Sequence, residues 1–440
     1  MAREAEKRER AGVSWDGAGG RKEGSCDFRH DEIIYDWNAV GLEKPVIPPD
    51  VELLDETLRD GIQSPSVTDP GLEDKVELVH HMNSLGITAV DVGLPASSER
   101  ALEHSLRVVE EIHRAGLSIQ PAAAARTMVS DIAPIADIAQ RVGVPVEVYA
   151  FIGSSPIRQL AEAWNLSEML QASSVAIDFA VSEGLPLTYV TEDTVRSHPH
   201  TLEQMFANAI DHGAGAICLC DTAGHATPDG VRRLIKWTKS LLSNMNVDVR
   251  IDWHAHNDRG LALVNSLFAM EYGARRVHGT GLGVGERAGN AAIDQMLVNM
   301  KLLGSLDRDL SDLLMYCQSV SRACMVSIPY NYPIAGSDAF RTATGIHAAA
   351  IIKAEGRGDK WLADRVYSGV PASELGRTQE IECGHQSGAC NVRHWLERRS
   401  LPLDDESLVR AILAKAKESK RTLTEDEVMA VVLEHQASKA

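Results

Sequence analysis

The chain is poor in the features that mark disulfide-stapled and membrane proteins. Its seven cysteines are an odd number, sparse for 440 residues and without framework-like spacing, so reduced thiols in a cytosolic protein are expected. No apolar run is long enough to cross a bilayer, and residues 1–10 are too charged for a secretory signal. These absences predict a cytoplasmic protein without a membrane partner.

Positive charge is also scarce. The chain has 44 Lys and Arg against 62 Asp and Glu, a formal net charge of −18. Because phosphate binding needs a basic face, nucleic acid is excluded as the main partner. An anionic small molecule is not excluded, since a local cluster or a metal ion can hold it. The hydrophobic content of 44% is ordinary for a globular protein.

Short β-rich runs alternate with amphipathic helical patterns from residue 51 onward. The predicted strands cover 51–55, 88–93, 117–123, 145–152, 185–190, 216–221, 248–256 and 275–281. Amphipathic patterns such as 73–84, 98–115 and 228–242 lie between them. Eight strand–helix units predict an α/β fold, a (β/α)₈ TIM barrel, over residues 46–304.

The two ends of the chain differ from this pattern. Residues 1–45 are polar and rich in glycine without clear periodicity, which predicts a loose N-terminal arm. After the barrel, the segments 307–326, 406–420 and 424–435 are helical in pattern. Residues 305–440 therefore form the predicted linker and small, mainly helical accessory subdomain.

Polar residues follow the predicted strands at their carboxyl ends, where barrel enzymes carry their chemistry. Arg59 and Asp60 follow the first strand, and His254 and His256 close the seventh. On a strand, residues two apart share a face, so both imidazoles can bind one cation. With Asp60 they make a His₂/carboxylate set with room for substrate oxygens. A cation held by these residues, together with Arg59, can polarise a carbonyl and stabilise the oxyanion that forms from it.

The ordered motifs of the chain resemble one family. They are DETLRDGIQ at 55–63, FIGSSPI at 151–157, TED at 191–193, DTAG at 221–224, HAHNDRGL at 254–261, GERAGNA at 285–291, TGIH at 344–347 and HQSG at 385–388. The set resembles the DRE-TIM metallolyase superfamily, in the branch of 2-isopropylmalate, homocitrate and citramalate synthases. A single HxH is weak evidence, whereas the ordered set over most of the chain is specific.

The resemblance implies a reaction and a role for each matching residue. The implied reaction is metal-dependent condensation of acetyl-CoA with a 2-oxo acid, then thioester hydrolysis to CoA and a substituted malate. The implied metal ligands for Mg²⁺, Mn²⁺ or Zn²⁺ are Asp60, His254 and His256, with Asn290 near or in the sphere. The implied catalytic residues are Arg59, Glu192 and His347. The implied substrate-binding residues are Gln63, Val190, Thr222 and Glu286.

The physical chemistry of these side chains agrees with the implied roles. Arginine stays protonated, so Arg59 can stabilise an alkoxide without consuming a proton. A thioester α-proton is far less acidic than imidazolium, so His347 needs help from burial, a carboxylate such as Glu192 or positioned donors. The family forms homodimers in which the subdomain of one subunit closes over the other barrel. The resemblance therefore implies that His347 acts across the interface.

The chain departs from the family at informative positions. Cys218 and Cys220 stand where Asn and Pro are usual, Val190 where a small polar residue or an aromatic is usual, and Leu282 where Asn is usual. These changes make the pocket more apolar and favour an alkyl side chain on the 2-oxo acid. About fifty residues follow His385, so no C-terminal regulatory domain is expected.

Several alternatives stay open. Homocitrate or citramalate synthesis uses the same chemistry, and a lyase or aldolase of the superfamily runs the cleavage direction. A non-catalytic, ligand-sensing relative is the alternative from another class, disfavoured because every metal and arginine position is intact. His198 and His200 form a second HxH that is interpreted as incidental, at a loop or helix start.

Overall fold

A computed structural model describes residues 33–42 and 44–439 of the chain. Contacts divide the chain into two units, Met1–Glu43 and Lys44–Ala440. Most of the predicted arm lies outside the described residues. Within the described part of the first unit, the rings of Tyr35 and Trp37 meet edge to face with centroids 4.8 Å apart.

Eight parallel strands close into a barrel, as the alternating pattern predicts. They are β1 (Glu52–Asp55), β2 (Ala89–Asp91), β3 (Gln120–Arg126), β4 (Glu147–Gly153), β5 (Leu187–Glu192), β6 (Ala216–Asp221), β7 (Arg250–Ala255) and β8 (Arg276–Gly279). Neighbours in sequence pair in order, and β1 closes the barrel on β8 with Leu54 opposite His278. The predicted TIM barrel is confirmed.

The third strand begins later than predicted. The sequence places it at 117–123, whereas β3 begins at Gln120. The side-chain oxygen of Asn83 accepts hydrogen bonds from the backbone N–H groups of Ser118 and Ile119 at 2.9 and 3.2 Å. Those amides are therefore occupied before the strand ladder starts, a constraint that the local sequence does not reveal.

Helices follow the strands and cover the outside of the barrel. They are α1 (Leu72–Ser84), α2 (Glu99–Arg114), α3 (Val129–Val142), α4 (Pro156–Glu162), α5 (Leu166–Ser182), α6 (Pro199–Asp211), α7 (Pro228–Met245), α8 (Ala262–Tyr272) and α9 (Ile293–Leu302). Local signals set their starts: Ser98 caps α2 by accepting from the N–H of Ala101 at 3.1 Å. His198 is the N-cap of α6, which Pro199 begins, as expected for the incidental HxH.

The region after the barrel is mainly helical, as predicted. Its helices are α10 (Leu313–Cys324), α11 (Gly345–Gly356), α12 (Lys360–Arg365), α13 (Ala389–Arg398), α14 (Glu406–Glu418) and α15 (Glu425–Ala437), beside a parallel pair, β9 (Arg341–Thr342) and β10 (Glu380–Ile381). Helix α10 packs into the barrel core through Leu313 and Val320. The later helices have cores of their own, one around Ile351 and one around Ile412. The boundary at 304/305 stays a prediction.

One layer of side chains inside the barrel is mainly apolar. Leu54, Ala89, Ala122 and Tyr149 form a buried cluster there, against which Val190 packs. Successive residues of a strand point to opposite faces of the barrel. Leu54 therefore points inward, whereas its neighbour Leu53 packs in the core between the strands and the helices. The alanines leave space above the cluster, at the carboxyl ends of the strands. Among the described residues, no helix combines the length and apolarity needed to cross a membrane.

Candidate active site

A cavity of about 260 Å³ lies at the carboxyl ends of the barrel strands. The predicted site residues that line it are Arg59, Asp60, Gln63, Val190, Glu192, Thr222, His254, His256 and Glu286. A larger cavity of about 590 Å³ lies at the amino ends and is lined by residues such as Asp248 and Lys239. Only the smaller cavity contains the predicted chemistry, so it is the candidate active site.

Asp60, His254 and His256 offer three buried ligand atoms that lie within 4.8 Å of one another. The Oδ2 atom of Asp60 is 3.5 Å from Nε2 of His256 and 3.9 Å from Nε2 of His254. This oxygen is buried without a hydrogen-bond partner in the described part of the chain. A divalent ion would satisfy it, so the donor set fits a metal.

The protonation states of the triad also suit metal binding. Burial and the neighbouring His254 lower the pKa of His256 to about 4. Burial raises the pKa of Asp60, but Arg59 and His254 outweigh it and lower that pKa below its usual value. The site thus favours a neutral imidazole and an ionised carboxylate, the forms that bind metals.

Asn290 lies beside the triad and does not line the cavity. It forms a β-bridge with His256, and its Nδ2 donates to the backbone oxygen of Val284 at 3.2 Å. Gly285 permits this approach, because a Cβ there would lie 2.2 Å from Nδ2 of Asn290. The buried Oδ1 of Asn290 has no partner within the described ranges, consistent with a place near the metal sphere.

Arg59 is held by three carboxylates. Its Nε donates to Asp91 at 2.9 Å, one terminal nitrogen donates to Asp60 at 3.0 Å, and the other donates to Glu56. Burial lowers the pKa of Arg59, but these carboxylates raise it well above its usual value. The guanidinium is therefore a fixed cation at the wall of the cavity.

The structure distinguishes Glu192 from its neighbour Asp193. Glu192 lines the cavity, and burial raises its pKa despite Arg158, which lies 3.5 Å away. Asp193 has a left-handed backbone, with φ of 59°, and turns its carboxylate to Arg196 at 2.7 Å. Glu192 is therefore the carboxylate that faces the site.

One wall of the cavity is apolar. It includes Leu94, Phe151, Val190 and the thiols of Cys218 and Cys220. The two sulfur atoms are 3.8 Å apart, because residues two apart on β6 share a face of the strand. Burial raises the pKa of Cys218 well above its usual value, which makes it an inert lining group.

His347 is outside this cavity within the single chain. It lies on α11, where its ring stacks on Tyr367 with centroids 3.9 Å apart. Of the predicted site residues, His347 and Asn290 are those that do not line the cavity. A role for His347 therefore requires a second subunit or a movement of the accessory region.

Several buried polar residues at the site were assigned no role in the sequence analysis. Glu56, Tyr149 and His278 line the cavity without having been assigned a role. Asp91 holds Arg59, and Asp252 accepts from Tyr149 Oη at 3.0 Å. The signal for Glu56 was its place inside the DETLRDG motif; His278 and Asp252 looked like ordinary strand residues.

The comparisons with known proteins agree with this geometry. A family model described as HMGL-like matches residues 50–320, more than half of the chain. The chain belongs to the HMGL-like family. Its relatives in the DRE-TIM superfamily include the 2-isopropylmalate synthase of Pyrococcus furiosus, 31% identical over 87% of this chain and 76% of that protein. The homocitrate synthase of Methanocaldococcus jannaschii is 30% identical over 87% of this chain and 89% of its own.

Solved structures share the barrel fold of this chain. The hydroxymethylglutaryl-CoA lyase of Pseudomonas aeruginosa has a TM-score of 0.54 at 21% identity, covering 66% of this chain and 97% of the lyase. At that identity the likeness supports the barrel fold alone.

Proposed function

We propose that this HMGL-like protein condenses acetyl-CoA with an alkyl 2-oxo acid and hydrolyses the thioester, giving CoA and a substituted malate. The single observation that carries the proposal is the cavity in which Asp60, His254 and His256 converge beside Arg59. The similarity to 2-isopropylmalate synthases over most of the chain supports the reaction type.

Asp60, His254 and His256 would hold the divalent ion, with Asn290 adjacent. The bound ion supplies Lewis acidity toward the carboxylate and keto oxygens of the 2-oxo acid. Mg²⁺, Mn²⁺ and Zn²⁺ all accept this donor set. The choice among them is part of the test.

Arg59 faces the negative charge that develops on the keto oxygen. As the carbon–carbon bond forms, the carbonyl π electrons move to oxygen, and the fixed guanidinium stabilises that oxyanion. Burial raises the pKa of Glu192, which favours a role for this side chain in proton transfer. Water then cleaves the thioester, which releases CoA and makes the condensation effectively irreversible.

His347 removes a proton from the acetyl-CoA methyl group, acting from the partner subunit of a homodimer. Two features support this arrangement: its position on α11 outside the cavity of its own chain, and its half-buried stacking on Tyr367. The free thiols of the described cysteines support a cytoplasmic location.

The proposal places the substrate side chain against Val190 and Cys218, which line the same cavity as the metal ligands. An alkyl group gains burial there, whereas a second carboxylate would need a partner that this wall does not offer. Gln63, Thr222 and Glu286 are the polar contacts proposed for the substrate. Homocitrate synthase relatives at 30% identity keep 2-oxoglutarate as the second candidate substrate.

The test is thiol release from acetyl-CoA with pyruvate, 2-oxoisovalerate, longer alkyl 2-oxo acids and 2-oxoglutarate, with products identified by mass. Each ion is compared with chelator, and Asp60→Asn is the variant with an impaired metal set. We expect chelator-sensitive release with alkyl substrates and almost none from Asp60→Asn. Release with 2-oxoglutarate alone would contradict the proposed alkyl substrate. No release with any 2-oxo acid would contradict the proposed reaction.

A further inference from the structure

Glu56 is a buried carboxylate that joins the two halves of the proposed site. One oxygen, Oε1, accepts from the guanidinium of Arg59. The other, Oε2, is 2.7 Å from Nδ1 of His254. Only 1% of Glu56 is exposed, so these contacts are protected from water. Asp60, itself a proposed metal ligand, also contacts Arg59 and both imidazoles, whereas Glu56 contacts His254 on Nδ1, the side of the ring away from Asp60.

The contact with His254 fixes which ring nitrogen is available to a metal. An ionised carboxylate can only accept, so Nδ1 of His254 must carry the proton. In the neutral imidazole, this arrangement leaves the lone pair on Nε2, the atom that faces Asp60 at 3.9 Å. Carboxylates that orient a ligating histidine in this way contribute substantially to metal affinity.

A second histidine, His278, also contacts the carboxylate of Glu56. Nδ1 of His278 lies 3.3 Å from Oε1 of Glu56, and its Nε2 lies 3.6 Å from Asp252. The Glu56 carboxylate is therefore surrounded by nitrogen groups of Arg59, His254 and His278.

We infer that Glu56 is the positioning residue that couples the metal site to the catalytic arginine, by orienting His254 and Arg59 with the two oxygens of one carboxylate. This inference rests on the proposed function, because it assigns a metal and a catalytic role to the groups that Glu56 contacts. A glutamine cannot replace it, since the amide has one acceptor end and both partners are donors. Either Arg59 or His254 would face an NH₂ group.

Asp91 provides a matched control. It contacts Arg59 through Nε at 2.9 Å, and it is fully buried like Glu56, but it has no contact with the triad histidines. Glu56→Gln should therefore disturb both functions, whereas Asp91→Asn should disturb only the arginine.

The experiment measures Mn²⁺ and Zn²⁺ binding to the full chain by calorimetry, and kcat at saturating metal. We expect about 10–100-fold weaker metal binding for Glu56→Gln, together with a lower kcat. For Asp91→Asn we expect a lower kcat with metal binding unchanged. Glu56→Asp, which keeps the charge but is too short to reach both partners, provides a third variant if the amide fails to fold.

Three results would overturn the inference. They are unchanged metal affinity in folded Glu56→Gln, equal losses of affinity in Glu56→Gln and Asp91→Asn, and parent values of both quantities in Glu56→Asp. Glu56, His254 and His278 also offer mutually close ligand atoms. Two ions per parent chain, reduced to one by Glu56→Gln, would make Glu56 a ligand and overturn its positioning role. A parent chain that binds no divalent ion would instead overturn the proposed function and this inference together.

Discussion

At the scale of single residues, the site depends on groups whose environment differs from that of the same residue in water. Arg59 is fixed by three carboxylates, and Glu192 is turned into the cavity while Asp193 is paired with Arg196. The surroundings thus decide which of two adjacent carboxylates can act. Both predictions at this scale concern side chains whose function or ionisation is set by what packs around them.

Val190 is expected to set the length of the substrate side chain. Val190→Ala removes two methyl groups from the apolar wall, and one methylene in such a pocket changes kcat/KM by about tenfold or more. The ratio of kcat/KM for longer over shorter alkyl 2-oxo acids should rise by at least about tenfold. Val277→Ala, at a buried position outside the cavity, should leave the ratio unchanged; a shift there would contradict the assignment.

Asp294 is expected to make stability fall as pH rises. It is fully buried, accepting from the N–H of Leu282 at 2.8 Å and from Tyr332 Oη at 3.0 Å, and burial raises its pKa to about 6. The folded state holds this proton more tightly than the unfolded state, so its stabilising effect is lost as pH rises toward and through that value. The Asp294→Asn variant has no ionisable group at this position, so its stability does not fall with pH for this reason.

The free energies of unfolding of parent and Asp294→Asn in urea at pH 5 and pH 8 test this. The stability of the variant relative to the parent should rise by about 1–2 kcal/mol between the two values. Asp307→Asn, at an exposed position, serves as control. Parallel pH profiles for parent and Asp294→Asn would show that Asp294 does not titrate as expected.

At the scale of secondary-structure elements, the strands carry an ionic layer inside the barrel below the site. Arg276 of β8 contacts Glu52 and Glu147, and its terminal nitrogen donates to Tyr149 Oη at 3.0 Å. Arg250 of β7 contacts Glu147 as well. Four strands are thus tied together by charge rather than by apolar packing alone. Tyr149 extends this layer to the cavity.

Arg276→Met should destabilise the barrel strongly. The change leaves Glu147 and Glu52 facing an apolar side chain, and breaking a buried ion pair on one side costs about 3–5 kcal/mol. Urea unfolding followed by circular dichroism measures the effect. Arg275→Met alters an exposed neighbour and should change stability by less than about 0.5 kcal/mol. A similar small change in both variants would mean that the ionic layer contributes little.

At the scale of the whole molecule, the proposed site draws its residues from both the barrel and the accessory region. The barrel holds Arg59 and the metal ligands, while His347 lies on α11 of the accessory region. That region has two apolar clusters, which are separate from the barrel core. The proposal places His347 at the barrel of a partner subunit.

Mixing inactive subunits tests this arrangement. A heterodimer of His347→Ala and Arg59→Ala subunits contains one site with both residues intact, so random mixing should restore about one quarter of parent activity. Arg59→Ala mixed with Asp60→Asn places both defects on barrels and should restore none. Mass spectrometry verifies subunit exchange. No rescue in verified heterodimers would mean that His347 does not act across the interface.

The sequence by itself determined the barrel and most of the cavity lining. Alternating apolar patterns specify strands and helices locally, and the carboxyl ends of parallel strands converge, so Asp60, His254 and Glu192 could be brought together without coordinates. The late start of β3 could not be foreseen, because it depends on the side chain of Asn83 from another element.

Only the tertiary structure decided how the predicted residues are held. The contacts of Glu56 with His254 and of Arg59 with Asp91 join residues 198 and 32 positions apart. Such pairings depend on barrel closure and on side-chain direction, neither of which leaves a periodic signal in the sequence. The chemistry of the site can therefore be predicted from the residue types at the strand ends, whereas its tautomers, charges and orientation follow from the packing of the closed barrel.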